Sequence, residues 1–253
     1  GCVPAGEGGA RLGDEDRAVK HQEDVLDRGE VRVLGQLAES SNAAFLVEVL
    51  ADDDSCWAIF KPEAGERPLD DFEPGLWRRE RAAYLLSEWL GWSVVPPTVV
   101  RSVEPFGIGS LQRYIDNDGS HYFPLVETRP DLHPQLLRLA VFDLLVNNTD
   151  RKSGHVLLGE GPSGPDHVWG IDHGLCFHQD PKLRTVIWDF AHEPVGAELV
   201  DRVEPLVDAV PDEVASLLTE PEVAALRARA SRIVRLPWLP EPRSHYQFPW
   251  PLV

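Results

Sequence analysis

The 253-residue chain has no methionine, three cysteines and only four lysines. Cys2, Cys56 and Cys176 are odd in number, scattered and without C-x-x-C spacing, so the sequence favours neither a disulfide framework nor a zinc site. They read as buried or incidental thiols. Positive charge is also scarce: 24 basic residues stand against 42 acidic ones, a formal net charge of −18. That balance argues against nucleic acid or an anionic membrane as a surface-wide partner. No apolar run approaches the ~20 residues of a membrane span, and the first thirty residues lack a signal-peptide core. The expectation is a cytoplasmic protein without a membrane span. What remains is an ordinary globular composition, 43% hydrophobic and 26% charged, long enough for one domain or for two lobes sharing a cleft.

The most informative stretch runs from Asp143 to Gly174: DLLVNNTDRKSGHVLL, a Gly/Pro-rich turn, then VWGIDHG. The apolar run from Leu136 to Val146 predicts a buried helix that stops at Asn147, Asn148, Thr149, Asp150 and Arg151. Two β-type segments, His155–Leu158 and His167–Ile171, flank GEGPSGPD, a composition suited to the loop of an antiparallel hairpin. Asp150 in the polar loop and Asp172 at the far end of the hairpin would then share one cleft, although 22 positions separate them. Kinase-type phosphoryl transfer uses two such acids, one at the acceptor hydroxyl and one on the nucleotide-bound metal.

Asn148-Thr149-Asp150-Arg151 and Ile171-Asp172-His173-Gly174-Leu175 resemble the catalytic and metal loops of phosphatidylinositol 3- and 4-kinases, above all the type II 4-kinases. More distantly they are similar to bacterial HipA-type kinases. The chain as a whole, with LRTVIWDF and a Pro/Trp-rich end, looks closer to an actinobacterial family of lipid-kinase-like proteins; the resemblance spans roughly residues 28 to 250. It implies an α+β, two-lobe protein-kinase-like fold: an antiparallel sheet with one helix in the first lobe and a mainly helical second lobe. It also implies ATP with Mg²⁺ or Mn²⁺, Asp150 with Arg151 as the catalytic pair, and Asp172 as a metal ligand. The sequence departs from its relatives at His155, where those kinases have asparagine five residues after the aspartate. Imidazole suits Mn²⁺ better than Mg²⁺, so His155 is either a second metal ligand or a structural hydrogen-bonding residue.

The remaining pattern divides into a mobile end (1–14), a first lobe (15–115) and a second lobe (116–253). Val31–Leu37 and Ala44–Leu50 form a hairpin pattern around AESSNA; Ser40, Ser41 and Asn42 would offer donors to phosphate as a nucleotide-covering loop does. Lys61 ends a third strand. Glu80 falls on the apolar stripe of a helix expected over Leu76 to Leu90, and an inward acid needs a partner; Lys61 with Glu80 fits the strand-lysine to helix-glutamate pair of kinases. In the family reading, backbone around Gln112 to Tyr114 holds adenine. Gly174 would supply unusual backbone angles beside phosphate. The Pro-rich end, with Trp238, Phe248 and Trp250, is expected to pack over the second lobe. Nucleotide and a small-molecule or protein hydroxyl acceptor follow as partners. Two rival readings remain, a nucleotide-binding pseudokinase and a metal-dependent hydrolase.

Overall fold

A computed structural model describes residues 21–37, 42–51 and 54–253. Ser40 and Ser41 lie outside the described residues. Five strands form one antiparallel sheet in the order β1-β2-β3-β5-β4: β1 (Glu30–Gln36), β2 (Phe45–Ala51), β3 (Asp54–Pro62), β4 (Thr98–Val103) and β5 (Gly107–Arg113). Alternation along β3 sets the geometry of the site. Ala58 and Phe60 point into an apolar layer with Val47, Val49 and Leu111, so Lys61, one residue on, faces the other way. A helix over residues 21–28, α1, covers the sheet with Val25 and Leu26 buried.

Helix α2 (Trp77–Trp89) buries Glu80 together with Ala82, Ala83, Tyr84 and Leu86. Those apolar residues join the larger core of the second lobe rather than the sheet's own core. The second lobe comprises α3 (Tyr122–Thr128), α4 (His133–Val146), the β6 (Val156–Gly161) and β7 (Gly164–Gly170) hairpin, α5 (Ala197–Val203), α6 (Asp212–Ala215) and α7 (Glu220–Arg235). Together these elements make the two-lobe, kinase-like α+β fold. Helix α4 is enclosed through Leu136, Leu139, Phe142 and Leu145. It stops at Asn147, which takes a left-handed conformation (φ 54°, ψ 54°) and returns its N–H to the Asp143 carbonyl, a helix end that asparagine tolerates better than most residues. Ion pairs Arg79–Glu222 and Lys182–Asp71 join the two lobes.

Three elements differ from what the sequence pattern predicts, namely a polar connector from Asp116 to about Pro130, a strand over Trp92 to Arg101 made irregular by Pro96-Pro97, and a tail packed through its aromatic residues. The segment after Asp116 contains α3, a single short amphipathic piece whose only buried residues are Tyr122 and Leu125. Trp92 to Pro97 is not strand: Pro96 and Pro97 interrupt it, and Val94 and Val95 instead direct their N–H groups to Ser87 Oγ. In the tail, Leu239 is the buried anchor, whereas Trp238 and Trp250 are 55% and 88% exposed. The tail is held largely through backbone: Val195 N–H donates to Pro237, and Ser153 N–H donates to Leu252 at 2.8 Å. No described helix is long and apolar enough to cross a membrane.

Candidate active site

The end of β3, the first turn of α2 and the loop after β7 meet at one ammonium group. Lys61 Nζ donates to Glu80 Oε1 at 2.7 Å and to Asp172 Oδ1 at 2.8 Å. Burial alone would lower the lysine pKa; the two carboxylates outweigh it and hold the ammonium firmly charged. Lys61 in turn keeps the Asp172 carboxyl well below the usual carboxylate range. The second oxygen of Glu80 accepts the His173 N–H at 3.1 Å, so this buried acid is bonded on both sides. Asp172 itself carries the positive φ, 61°, of this turn. Gly174 does not, and a Cβ there would meet Leu76 at 3.4 Å and a Glu80 oxygen at 3.6 Å, ordinary contact distances; neither backbone angle nor crowding requires glycine at this position.

Asp150 opens onto the same cleft as Asn42, Lys61, Glu80, Ser110 and Asp172. Burial raises its pKa despite Lys152 Nζ at 2.9 Å. The loop that presents it is cross-braced: Asp150 N–H donates to Asn148 Oδ1, Asn148 Nδ2 to Asp143 Oδ1, and Thr149 Oγ1 to the Leu175 carbonyl.

Arg151 lies below the cleft and not in it. Its guanidinium is fully buried and forks onto Asp143 with two 2.9 Å contacts, while Nη1 donates to the carbonyls of His155 and Ile171. It therefore fixes the loops that carry Asp150 and Asp172. Arg151 Nη2 also stands 2.8 Å from His173 Nε2, which must accept. The ring proton is then on Nδ1, which is buried without a partner among the described residues; burial, then Arg151, hold this imidazole neutral.

The tautomer of His155 follows in the same way. Nδ1 is 3.0 Å from the Asp150 carbonyl, which can only accept, so Nδ1 carries the proton. Burial lowers the ring pKa to about 4, leaving Nε2 as a bare lone pair 3.3 Å from Asp172 Oδ2. Two acceptors thus face each other, an arrangement that a divalent cation between them would satisfy. The backbone hydrogen bond on the far nitrogen is the support metal-bound imidazoles usually have. Among the described residues no group of three or more His, Cys, Asp or Glu side chains is gathered to hold a metal, so further ligands must come from phosphate or water.

The adenine stretch is arranged differently from expectation. Gln112 lies between β3 and β4, paired with Ile59 and Thr98, and its side chain donates to Thr98 Oγ1 at 2.8 Å. The Arg113 and Tyr114 N–H groups donate to Pro97 and Trp57 carbonyls. Asn42 lines the cleft, but its Oδ1 accepts the Arg67 N–H at 2.9 Å. Sequence reasoning missed Lys152 and Asp143. The signal for Lys152 was lysine scarcity: all three lysines in the described residues pair with acids, two of them with acids that line the cleft.

No family profile matches the chain. It is 38% identical over 266 residues to protein Rv2133c of Mycobacterium tuberculosis, an alignment covering 90% of this chain and 94% of that protein. It is 31% identical over 160 residues to phosphatidylinositol 4-kinase gamma 2 of Arabidopsis thaliana, covering 51% of this chain and 28% of the plant protein. The structure of hydra Fam20 with sugar superposes with a TM-score of 0.52 at 13% identity, over 88% of this chain and 89% of that one.

Proposed function

The chain belongs to the family of the Mycobacterium tuberculosis protein Rv2133c, and from that premise and the geometry of the cleft we propose an ATP-dependent phosphotransferase. The observation that carries the reading is Lys61 held between Glu80 and Asp172, with Asp150 on the same cleft. The partial likeness to the plant phosphatidylinositol 4-kinase supports it. Lys61 orients the nucleotide phosphates, and Glu80 keeps the ammonium in place. Asp150, its basicity increased by burial, takes the proton of an acceptor hydroxyl as that oxygen bonds the γ-phosphorus; the bond to the bridging oxygen breaks and ADP leaves. Asp172 and His155 would hold Mg²⁺ or Mn²⁺, which supplies charge neutralisation on the phosphates. Arg151 is a positioning residue. Residues 15–115 form the nucleotide side and 116–253 the acceptor side. Adenine lies against the connector that follows Tyr114. The acceptor is a cytoplasmic small metabolite or protein hydroxyl.

The test is a melting assay with ATP, with and without Mg²⁺ or Mn²⁺, followed by product analysis. At about 100 times Kd, ligand linkage stabilises by ~2.7 kcal/mol. Stabilisation with phosphate transfer supports the proposal. Stabilisation without transfer would make the chain a nucleotide-binding pseudokinase. Stoichiometric metal bound tightly without nucleotide would point to a hydrolase. An unchanged melting temperature at millimolar ATP with either metal overturns the proposal.

A further inference from the structure

Beside Asp150, on the side away from Lys61, the tail closes a second cavity of about 620 Å³. That is the size of a small-molecule site, about 300–1,000 Å³. Its walls include Asp150, Arg184, His245, Tyr246, Trp250 and Leu252. Backbone bonds fix these walls on both flanks of the Asp150 loop. Arg184 N–H donates to the Asn148 carbonyl at 2.9 Å and Arg151 N–H to the Arg184 carbonyl at 3.0 Å; Ser153 N–H donates to the Leu252 carbonyl at 2.8 Å. Further back, Thr185 N–H bonds the Gln247 carbonyl at 3.0 Å, and Phe248 packs against Trp188. The tail segment is therefore built onto the catalytic loop.

Two features of this cavity are open to a ligand. Tyr246 and Trp250 are 74% and 88% exposed, Tyr246 with one face against His245 at a centroid distance of 4.0 Å, although large aromatic groups left in water forgo the stabilisation that burial gives. The Arg184 side chain is exposed, and among the described residues no carboxylate pairs with it in a protein of net charge −18. A free guanidinium fork matches carboxylate or phosphate; an open aromatic face matches a flat ring.

We infer that this cavity is the acceptor site, and that the acceptor is a small hydroxylated molecule carrying both an anionic group and a flat ring. Arg184 takes the anion, Trp250 and Tyr246 take the ring, and the hydroxyl is presented to Asp150. The assignment rests on the reading of Asp150 as the base, and it names the specificity residues that reading lacks.

The experiment is calorimetric titration of two matched probe sets into the full chain, with and without saturating ADP and Mg²⁺. One set is uridine monophosphate, uridine and ribose 5-phosphate; the other is 4-hydroxyphenyllactate, 4-hydroxyphenethyl alcohol and lactate. In at least one set, the probe with both ring and anion should bind at least tenfold tighter than either fragment, with ADP present. Arg184→Ala should remove its advantage over the uncharged probe, and Trp250→Ala its advantage over the ringless one. Both side chains are exposed, and unchanged ADP affinity and melting temperature in the variants would show that the fold and the nucleotide cleft are intact. Binding that ADP displaces, binding indifferent to both substitutions, or no advantage in either set would overturn the acceptor assignment. None of these outcomes bears on ATP binding; failure of the phosphotransferase reading is seen separately, as absence of stabilisation by ATP.

Discussion

Lys61 and Asp172, 111 positions apart in sequence, are joined by a 2.8 Å hydrogen bond between Nζ and Oδ1. The same ammonium is held by Glu80, so a strand of the sheet, a helix packed on the other lobe's core and the loop after the hairpin meet at one cation. On the proposed phosphotransferase reading, nucleotide phosphates would compete with Asp172 for this ammonium, exchanging one anionic partner of Lys61 for another.

Lys61→Ala should weaken nucleotide binding and lower turnover on the order of 10²–10³, the usual effect of losing one positioned donor to developing charge. Glu80 would be left buried beside Asp172 with no counter-charge, so the melting temperature should fall as well. Equal turnover in wild type and variant would remove Lys61 from the site.

Asp150→Asn should abolish transfer and leave ATP affinity within a few fold. The amide keeps the shape and loses the basicity. Lys152 loses its carboxylate partner in that variant. Rapid-quench measurement of the first turnover checks this: a normal first-turnover rate would exclude Asp150 as base.

The proximity of Lys61 and Glu80 was legible because a lysine ending a β-type run and an acid on the inner stripe of a helix met a family resemblance that pairs them; the pattern alone also allowed an exposed Glu80 paired with an arginine. The loop placement of Asp150 and the end-of-hairpin placement of Asp172 were legible from turn chemistry. The opposite orientations of Asp150 and Arg151 were not. Adjacent loop residues carry no periodicity, and only the three-dimensional position of Asp143 draws Arg151 inward. Helix α3 was missed because two buried residues in seven give no helical signal and Pro124 argues against one. The tail's course to Ser153 depends on contacts between distant residues, which composition cannot encode. Its prolines said only that it is not helical.

Asp143→Ala should destabilise the fold by about 3–5 kcal/mol, since breaking a buried pair leaves an uncompensated charge. Both partners are fully inaccessible and the geometry is bidentate. Chemical denaturation measures the loss. A change below about 1 kcal/mol would mean that the carbonyls of His155 and Ile171 suffice for the guanidinium.

Stability should fall in mild acid, before the carboxylates titrate. His167 is buried, with Nε2 2.8 Å from the Ser93 carbonyl, and burial lowers its pKa to about 4. Unfolded, it titrates near 6.5. Between these values the unfolded chain binds more protons, so the contribution is complete above about pH 6.5 and is lost as pH drops toward 4. A shift of this size corresponds to roughly 3 kcal/mol. His167→Gln should make the melting-temperature profile shallower over that window without levelling it, because the buried rings of His155 and His173 also have lowered pKa values. A profile as steep as wild type would show that His167 does not drive the loss.

His155 separates a metal ligand from a structural hydrogen bond. Its protonated Nδ1 is committed to the Asp150 carbonyl, and its lone pair faces Asp172. If that lone pair binds metal, Mn²⁺ should support activity better than Mg²⁺, and His155→Asn should shift preference toward Mg²⁺, because an amide oxygen is the harder donor. The ring is already neutral well above pH 4, so between pH 6 and pH 8 metal affinity measured with ATP should vary only as the terminal phosphate titrates, in parallel in wild type and His155→Asn. A tenfold larger loss toward pH 6 in wild type than in His155→Asn would require a protonated ring in the free site. Identical metal selectivity in wild type and His155→Asn would assign His155 to the support of Asp150 alone.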